Sequence, residues 1–166
     1  MPATDPDYTY TIDDFPQLLL RRFFPERTDG ESAVIAAYLQ VHLPEFDRIT
    51  FSKRVGRGAV IDPTTSPAAQ RATTFSTRKR IDILAWRGSQ PVIIEVKQSV
   101  TPSALGQILT YKHHFQEENP DALEPQLVVV GRTSDRDTID ALNAHGIPVY
   151  LYPEAVARRE SEAGSL

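Results

Sequence analysis

The chain has 166 residues, 40% hydrophobic and 24% charged, the length and balance of one globular domain with its own core. It contains no cysteine, which excludes disulfides, thiolate metal sites and cysteine nucleophiles, so any metal must rest on oxygen or imidazole. The net charge of −4 would by itself argue against a nucleic-acid partner.

Prolines at positions 2, 6, 16 and 25 punctuate residues 1–28, whose apolar stretch Leu18 to Leu20 with Phe23 and Phe24 suits a short helix docked on the body. This segment is expected to be an N-terminal appendage. Thr28-Asp29-Gly30-Glu31 has the spacing of a capping box, and Val34, Ile35, Tyr38, Leu39 and Val41 then trace a helical stripe, predicting a helix from about Glu31 to His42. From Phe46 to Val55 the pattern becomes extended, with Ile49, Phe51 and Val55 on alternating positions predicting a strand with one buried face.

Residues 56–77 are rich in Gly, Pro, Ser, Thr and Ala and show neither period, so most of them are expected to form a long loop holding a solvated Asp62. Strands follow at Arg80 to Trp86 and Pro91 to Lys97, with Arg87-Gly88-Ser89-Gln90 as a tight turn between them. Thr101-Pro102-Ser103 begins a helix with Leu105, Ile108, Leu109 and Phe115 on one face; Lys112 falls on that face and its long stem must reach out to solvent or toward a site. Leu127 to Val130 reads as a buried strand, Ser134 as the cap of a helix carrying Ile139 and Leu142 and ending at Gly146, and Ile147 to Tyr152 as the last strand. The domain would thus span residues 29–153, with 154–166 a polar tail. The order αβββαβαβ predicts an α/β fold: a mixed central sheet of about five strands, antiparallel then parallel, with helices on both faces. No apolar run approaches the ~20 residues that span a bilayer, and Met1 to Tyr10 lacks the features of a secretory leader, so a cytoplasmic protein is expected.

Charge is segregated along the chain. Residues 1–50 hold 4 basic and 9 acidic side chains, residues 51–112 hold 10 and 3, and residues 113–166 hold 4 and 10, giving −5, +7 and −6. The centre is either a phosphate-binding face or a solvated basic surface, and the acidic flanks offer surfaces for a protein partner or a second copy. Two of the three central acids, Asp82 and Glu95, lie on the two strands of the predicted hairpin. Glu95 and Lys97 are two apart and share a face, and hairpin pairing brings Asp82 opposite them. Two carboxylates beside an ammonium suit a hard divalent cation, Mg²⁺ best and Mn²⁺ as a substitute, which can polarise a phosphate and acidify water.

Ile81-Asp82, Glu95-Val96-Lys97, and Gln107 with Tyr111 on the next helix resemble the PD-(D/E)xK, or restriction-endonuclease-like, nuclease superfamily. The pattern is similar to the catalytic domain of the NucS/EndoMS mismatch endonucleases and to RecB-type nucleases with a Gln-x-x-x-Tyr helix, with Ile81 standing where the motif has proline. The resemblance implies a restriction-endonuclease-like fold and a Mg²⁺-dependent DNA endonuclease. It implies that Asp82, Glu95 and the Val96 carbonyl hold the metal, that Lys97 is catalytic, that Gln107 and Tyr111 hold the site and a phosphate, and that Glu31 stands near the metal. For Glu31 the capping box is an equal explanation. Arg78, Lys79 and Arg80 would line the mouth of the site, with Arg54, Arg57 and Lys112 as further phosphate contacts; charge defending an edge strand is the plainer reading of the first three. His113, His114 and His145 show no ligand spacing with carboxylates. The rival functions are a non-catalytic DNA-binding or assembly subunit on the same fold and a junction resolvase.

Overall fold

The computed structural model describes residues 8–157. A six-stranded mixed sheet runs in the order β1 (Tyr8–Thr11), β2 (Arg48–Val55), β3 (Lys79–Arg87), β4 (Gln90–Val100), β5 (Gln126–Ser134) and β6 (Val149–Leu151). The first four strands are antiparallel neighbours, and β5 and β6 add in parallel. The helices are α1 (Phe15–Leu18), α2 (Asp29–His42), α3 (Pro67–Thr77), α4 (Ser103–Glu118) and α5 (Arg136–Ala144).

The sheet has a core on each face. Val34, Ile35, Tyr38 and Leu39 of α2 pack with Ile49, Phe51, Ile83, Ile94, Val96 and Val130. On the other face Ala104, Ile108, Tyr111 and Phe115 of α4 pack with Ile81, Leu84, Ile93, Val129 and Leu142. The capping box is formed, Thr28 Oγ1 accepting from the Glu31 amide and Glu31 Oε2 from the Thr28 amide, and it starts α2 two residues before the expected position. The hairpin turn is also as expected, with Arg87 paired to Gln90 and Gly88 at φ 57°, a value glycine adopts freely.

Several expectations need correction. The sheet has six strands rather than about five, because Tyr8–Thr11 pairs along β2 as an edge strand. Of the segment read as an appendage, residues 8–28 dock on the body as expected, burying Leu18 and Phe24 with Phe15 in the α2-side core, but Leu20 and Phe23 of the same apolar stretch are exposed. The expected long loop contains α3, started by Ser66, whose side chain accepts from the Ala69 amide, and by Pro67 in the first turn. This helix buries none of its residues, so no apolar stripe announced it. On α4 Leu109 is exposed and Tyr111 lies in the core instead. Asp135, not Ser134, caps α5, accepting from the Thr138 amide. The tail beyond residue 157 lies outside the described residues.

One irregularity positions the site. Along β2 and β3, Phe51 and Ile83 face the α2-side core while Val55 and Ile81 face the α4-side core. Both strands therefore exchange faces between the pairs Phe51↔Ile83 and Lys53↔Ile81, where Ser52 has φ 55° and Asp82 stands. The ladder between β3 and β4 ends at Ile83↔Ile94, so the two strands part just at Asp82 and Glu95.

Candidate active site

Beyond the last paired residues, the Asp82 carboxylate takes over part of the missing ladder: its Oδ2 accepts from the Val96 amide at 2.8 Å. Its Oδ1 accepts from Arg27 Nη1. Ile93 lies in the α4-side core, so Glu95, two residues on, projects to that side of β4 while Val96 fills the α2-side core. Glu95 is wholly buried; its Oε1 is engaged by an ion pair with Lys97, and among the described residues its Oε2 has no hydrogen-bond partner. Lys97 Nζ stands 2.9 Å from Glu95 Oε1, and its half-exposed side chain marks the open side of the site.

The electrostatics follow from burial. Desolvation raises Asp82 above the usual carboxylate range, outweighing Arg27 and the Val96 amide. Desolvation and then the Asp82 charge raise Glu95, with Lys97 pulling the other way. Burial works against the Lys97 ammonium, yet Glu95, Asp82 and Glu31 together hold its pKa above the ordinary value. Two buried carboxylates that resist ionising together, one with an oxygen that lacks a donor, form a donor set that fits a hard divalent cation.

The structure brings the expected residues together unevenly. Gln107 and Tyr111 lie one turn apart on α4, with Gln107 Oε1 buried and unpartnered among the described residues. Burial, then the Glu95 and Asp82 charges, raise the Tyr111 phenol far above its usual value, so its hydroxyl lies in the field of the carboxylates. Glu31 serves its helix cap, and its charge is the last of those that raise Lys97. It does not close a three-ligand group with Asp82 and Glu95. Such a group is formed instead by His113, His114 and Glu117, whose ligand atoms lie within 4.8 Å of one another on the exposed side of α4. The i+3 and i+4 spacing to Glu117 supplies the carboxylate these histidines were expected to lack.

The basic residues are more committed than their sequence suggests. Arg54 is buried, stacks on Phe75 at 4.0 Å and pairs with Glu26 at 3.4 Å. Arg80 pairs with the other Glu26 oxygen at 2.8 Å, Arg78 with Glu118 at 3.1 Å and the Gly56 carbonyl at 2.7 Å, and Lys112 with Glu124. Arg57 and Lys79 remain, lining with His114 a cavity of about 410 Å³. The sequence reading missed Arg27 and Glu26 altogether. Both belong to a turn with no period of its own, and only the fold discloses their partners.

No known protein family matches the chain, and no curated protein or solved structure shows detectable similarity to it.

Proposed function

We propose that the chain is a Mg²⁺-dependent deoxyribonuclease of the restriction-endonuclease-like kind, hydrolysing phosphodiester bonds by direct attack of water. The observation that carries this reading is Glu95: a wholly buried carboxylate beside Asp82, with Oε1 2.9 Å from the Lys97 ammonium and Oε2 without a hydrogen-bond partner among the described residues. Two adjacent buried carboxylates, one with an oxygen lacking a donor, are costly in a domain stabilised by only about 5–15 kcal/mol, and a cation between them offsets that cost. Asp82 and Glu95 would hold the metal, which supplies Lewis-acid polarisation of the phosphate and a lowered pKa for water. Lys97, at the open side, places its charge where a phosphate oxygen becomes more negative as the bond to water forms. Tyr111 and Gln107 line the α4 side, where a phenol held protonated by its surroundings is a hydrogen-bond donor to an incoming phosphate. The order of sheet and helices, the forked hairpin and the Glu-Val-Lys strand end all agree with the family resemblance.

The test is cleavage of linear, circular, single-stranded and mismatched DNA in Mg²⁺ or Mn²⁺. Activity is expected in the wild type and a loss of about 10²-fold or more in Lys97→Ala and Glu95→Ala, with melting curves confirming that the variants fold. Full activity in Lys97→Ala overturns the assignment.

A further inference from the structure

The strap joining α1 to α2 is built to bring a guanidinium to Asp82. Phe24 is buried with its ring 5.1 Å from that of Phe51, and its amide donates to Ser32 Oγ at 3.1 Å. Ser52 Oγ donates to the Pro25 carbonyl at 3.1 Å, and Glu26 lies between Arg54 and Arg80. Ser52 and Glu26 flank this contact with φ values of 55° and 58°, a left-handed backbone that costs each residue about 1 kcal/mol or more. Strain on both sides of one contact is maintained by the packing around it, and its product is the position of Arg27.

Both Asp82 oxygens already accept a hydrogen bond, Oδ1 from the charged Arg27 and Oδ2 from the neutral Val96 amide. Glu95, by contrast, pairs through Oε1 with Lys97 and has Oε2 without a hydrogen-bond partner among the described residues. A cation that draws on both acids is repelled by a like charge on Asp82, and of the two donors only Arg27 carries one. The Val96 amide is fixed in β4, which leaves Arg27 as the group that yields. Its side chain is long, and its Nε is buried without a partner among the described residues, so the guanidinium is held on one side only. When both are ionised as ligands, Asp82 and Glu95 together balance Arg27 and Lys97, so a dication added to these four groups makes the site cationic and suited to a phosphodiester.

We propose that Arg27 is a displaceable counter-cation: it pairs with Asp82 Oδ1, gives up that oxygen when a divalent cation binds, and turns its guanidinium toward the substrate phosphate. The inference rests on the nuclease reading, in which Asp82 and Glu95 hold the metal. It is tested without DNA or turnover, by calorimetric and paramagnetic titration of Mn²⁺ into the full chain, its Arg27→Gln and Arg27→Lys variants, and Glu95→Ala. Removing a competing charge from a close buried pair is expected to tighten Mn²⁺ binding in Arg27→Gln about tenfold or more. Arg27→Lys, which keeps the charge and loses the fork, is expected to tighten it a few-fold and serves if Arg27→Gln does not fold. Glu95→Ala should abolish binding. If the wild type binds Mn²⁺ through Glu95 but neither Arg27 variant binds it more tightly, the exchange is wrong and the nuclease reading stands. If the wild type shows no Glu95-dependent binding, the nuclease reading fails and the exchange with it.

Discussion

Glu95 concentrates the energetics of the site in one side chain. Its folded-state pKa lies above the ordinary 4.5, first because of burial and then because of Asp82. A carboxyl raised in this way favours the folded state fully below its unfolded pKa, and that contribution is lost as pH rises toward the higher folded value. Asp82 is shifted in the same direction and adds to the effect. The metal-free protein is therefore expected to melt at a lower temperature at about pH 8 than at about pH 5. Glu95→Gln, which keeps the shape and removes the titration, should flatten that slope, and Mg²⁺ should raise the wild-type curve mainly at the alkaline end. Thermal melts with and without Mg²⁺ decide the matter: an unchanged slope in Glu95→Gln would show that another group is responsible.

Among the elements, β4 and β5 bear most directly on the position of Lys97. Gly131 of β5 pairs with Lys97, and a methyl group there would stand 2.4 Å from Val100 Cγ2 and 3.1 Å from the Lys97 carbonyl oxygen. Gly131→Ala is expected to destabilise the fold by about 1–3 kcal/mol, the usual range for overpacking, and to weaken Mn²⁺ binding by shifting the end of β4. Urea unfolding and metal titration read the two effects separately. The opposite case is α3, which buries no residue and is held through Ser66, the Thr77 hydroxyl bonded to the Ala59 amide and the stacking of Phe75 on Arg54. Its amides should exchange far faster than those of β4, because few buried contacts oppose local opening; equal protection in hydrogen exchange would contradict this. The same contrast explains what was legible in the sequence. The hairpin, α2 and the two parallel strands carry apolar periods that a buried face imposes, so Asp82, Glu95 and Lys97 could be placed together. Tyr8–Thr11 is a largely exposed edge strand, α3 has no apolar stripe, and Arg27 finds Asp82 across 55 positions of chain, so none of these left a local signal.

At the scale of the whole molecule, the charge segregation acquires a different meaning. The central segment carries an excess of +7, yet much of it is matched by the acidic flanks in the folded chain. Glu26 engages Arg54 and Arg80, Glu45 engages Arg87, Glu118 engages Arg78, and Glu124 engages Lys112. The flanks thus fix the basic strands in place, and they answer the central charge within the fold. Arg57, Arg71 and Lys79 are the cations of that segment without an ion pair among the described residues. Counterion release then sets a limit that can be measured. With about three phosphates neutralised, the logarithm of the DNA association constant should fall with the logarithm of salt concentration with a slope of about −2 to −3. A face using the whole central excess would give a slope of about −6 on the same relation. Fluorescence anisotropy in the absence of activating metal measures this slope, and Arg57→Ala and Lys79→Ala should each reduce it by about 1 while leaving the Glu95-dependent Mn²⁺ affinity unchanged. A steep slope that is insensitive to both substitutions would mean that DNA breaks the ion pairs of Glu26 and Glu118. In that event Glu26→Gln, which frees Arg54 and Arg80 in advance, should tighten binding, whereas with the pairs intact it should mainly lower the melting temperature by loosening the strap that holds Arg27.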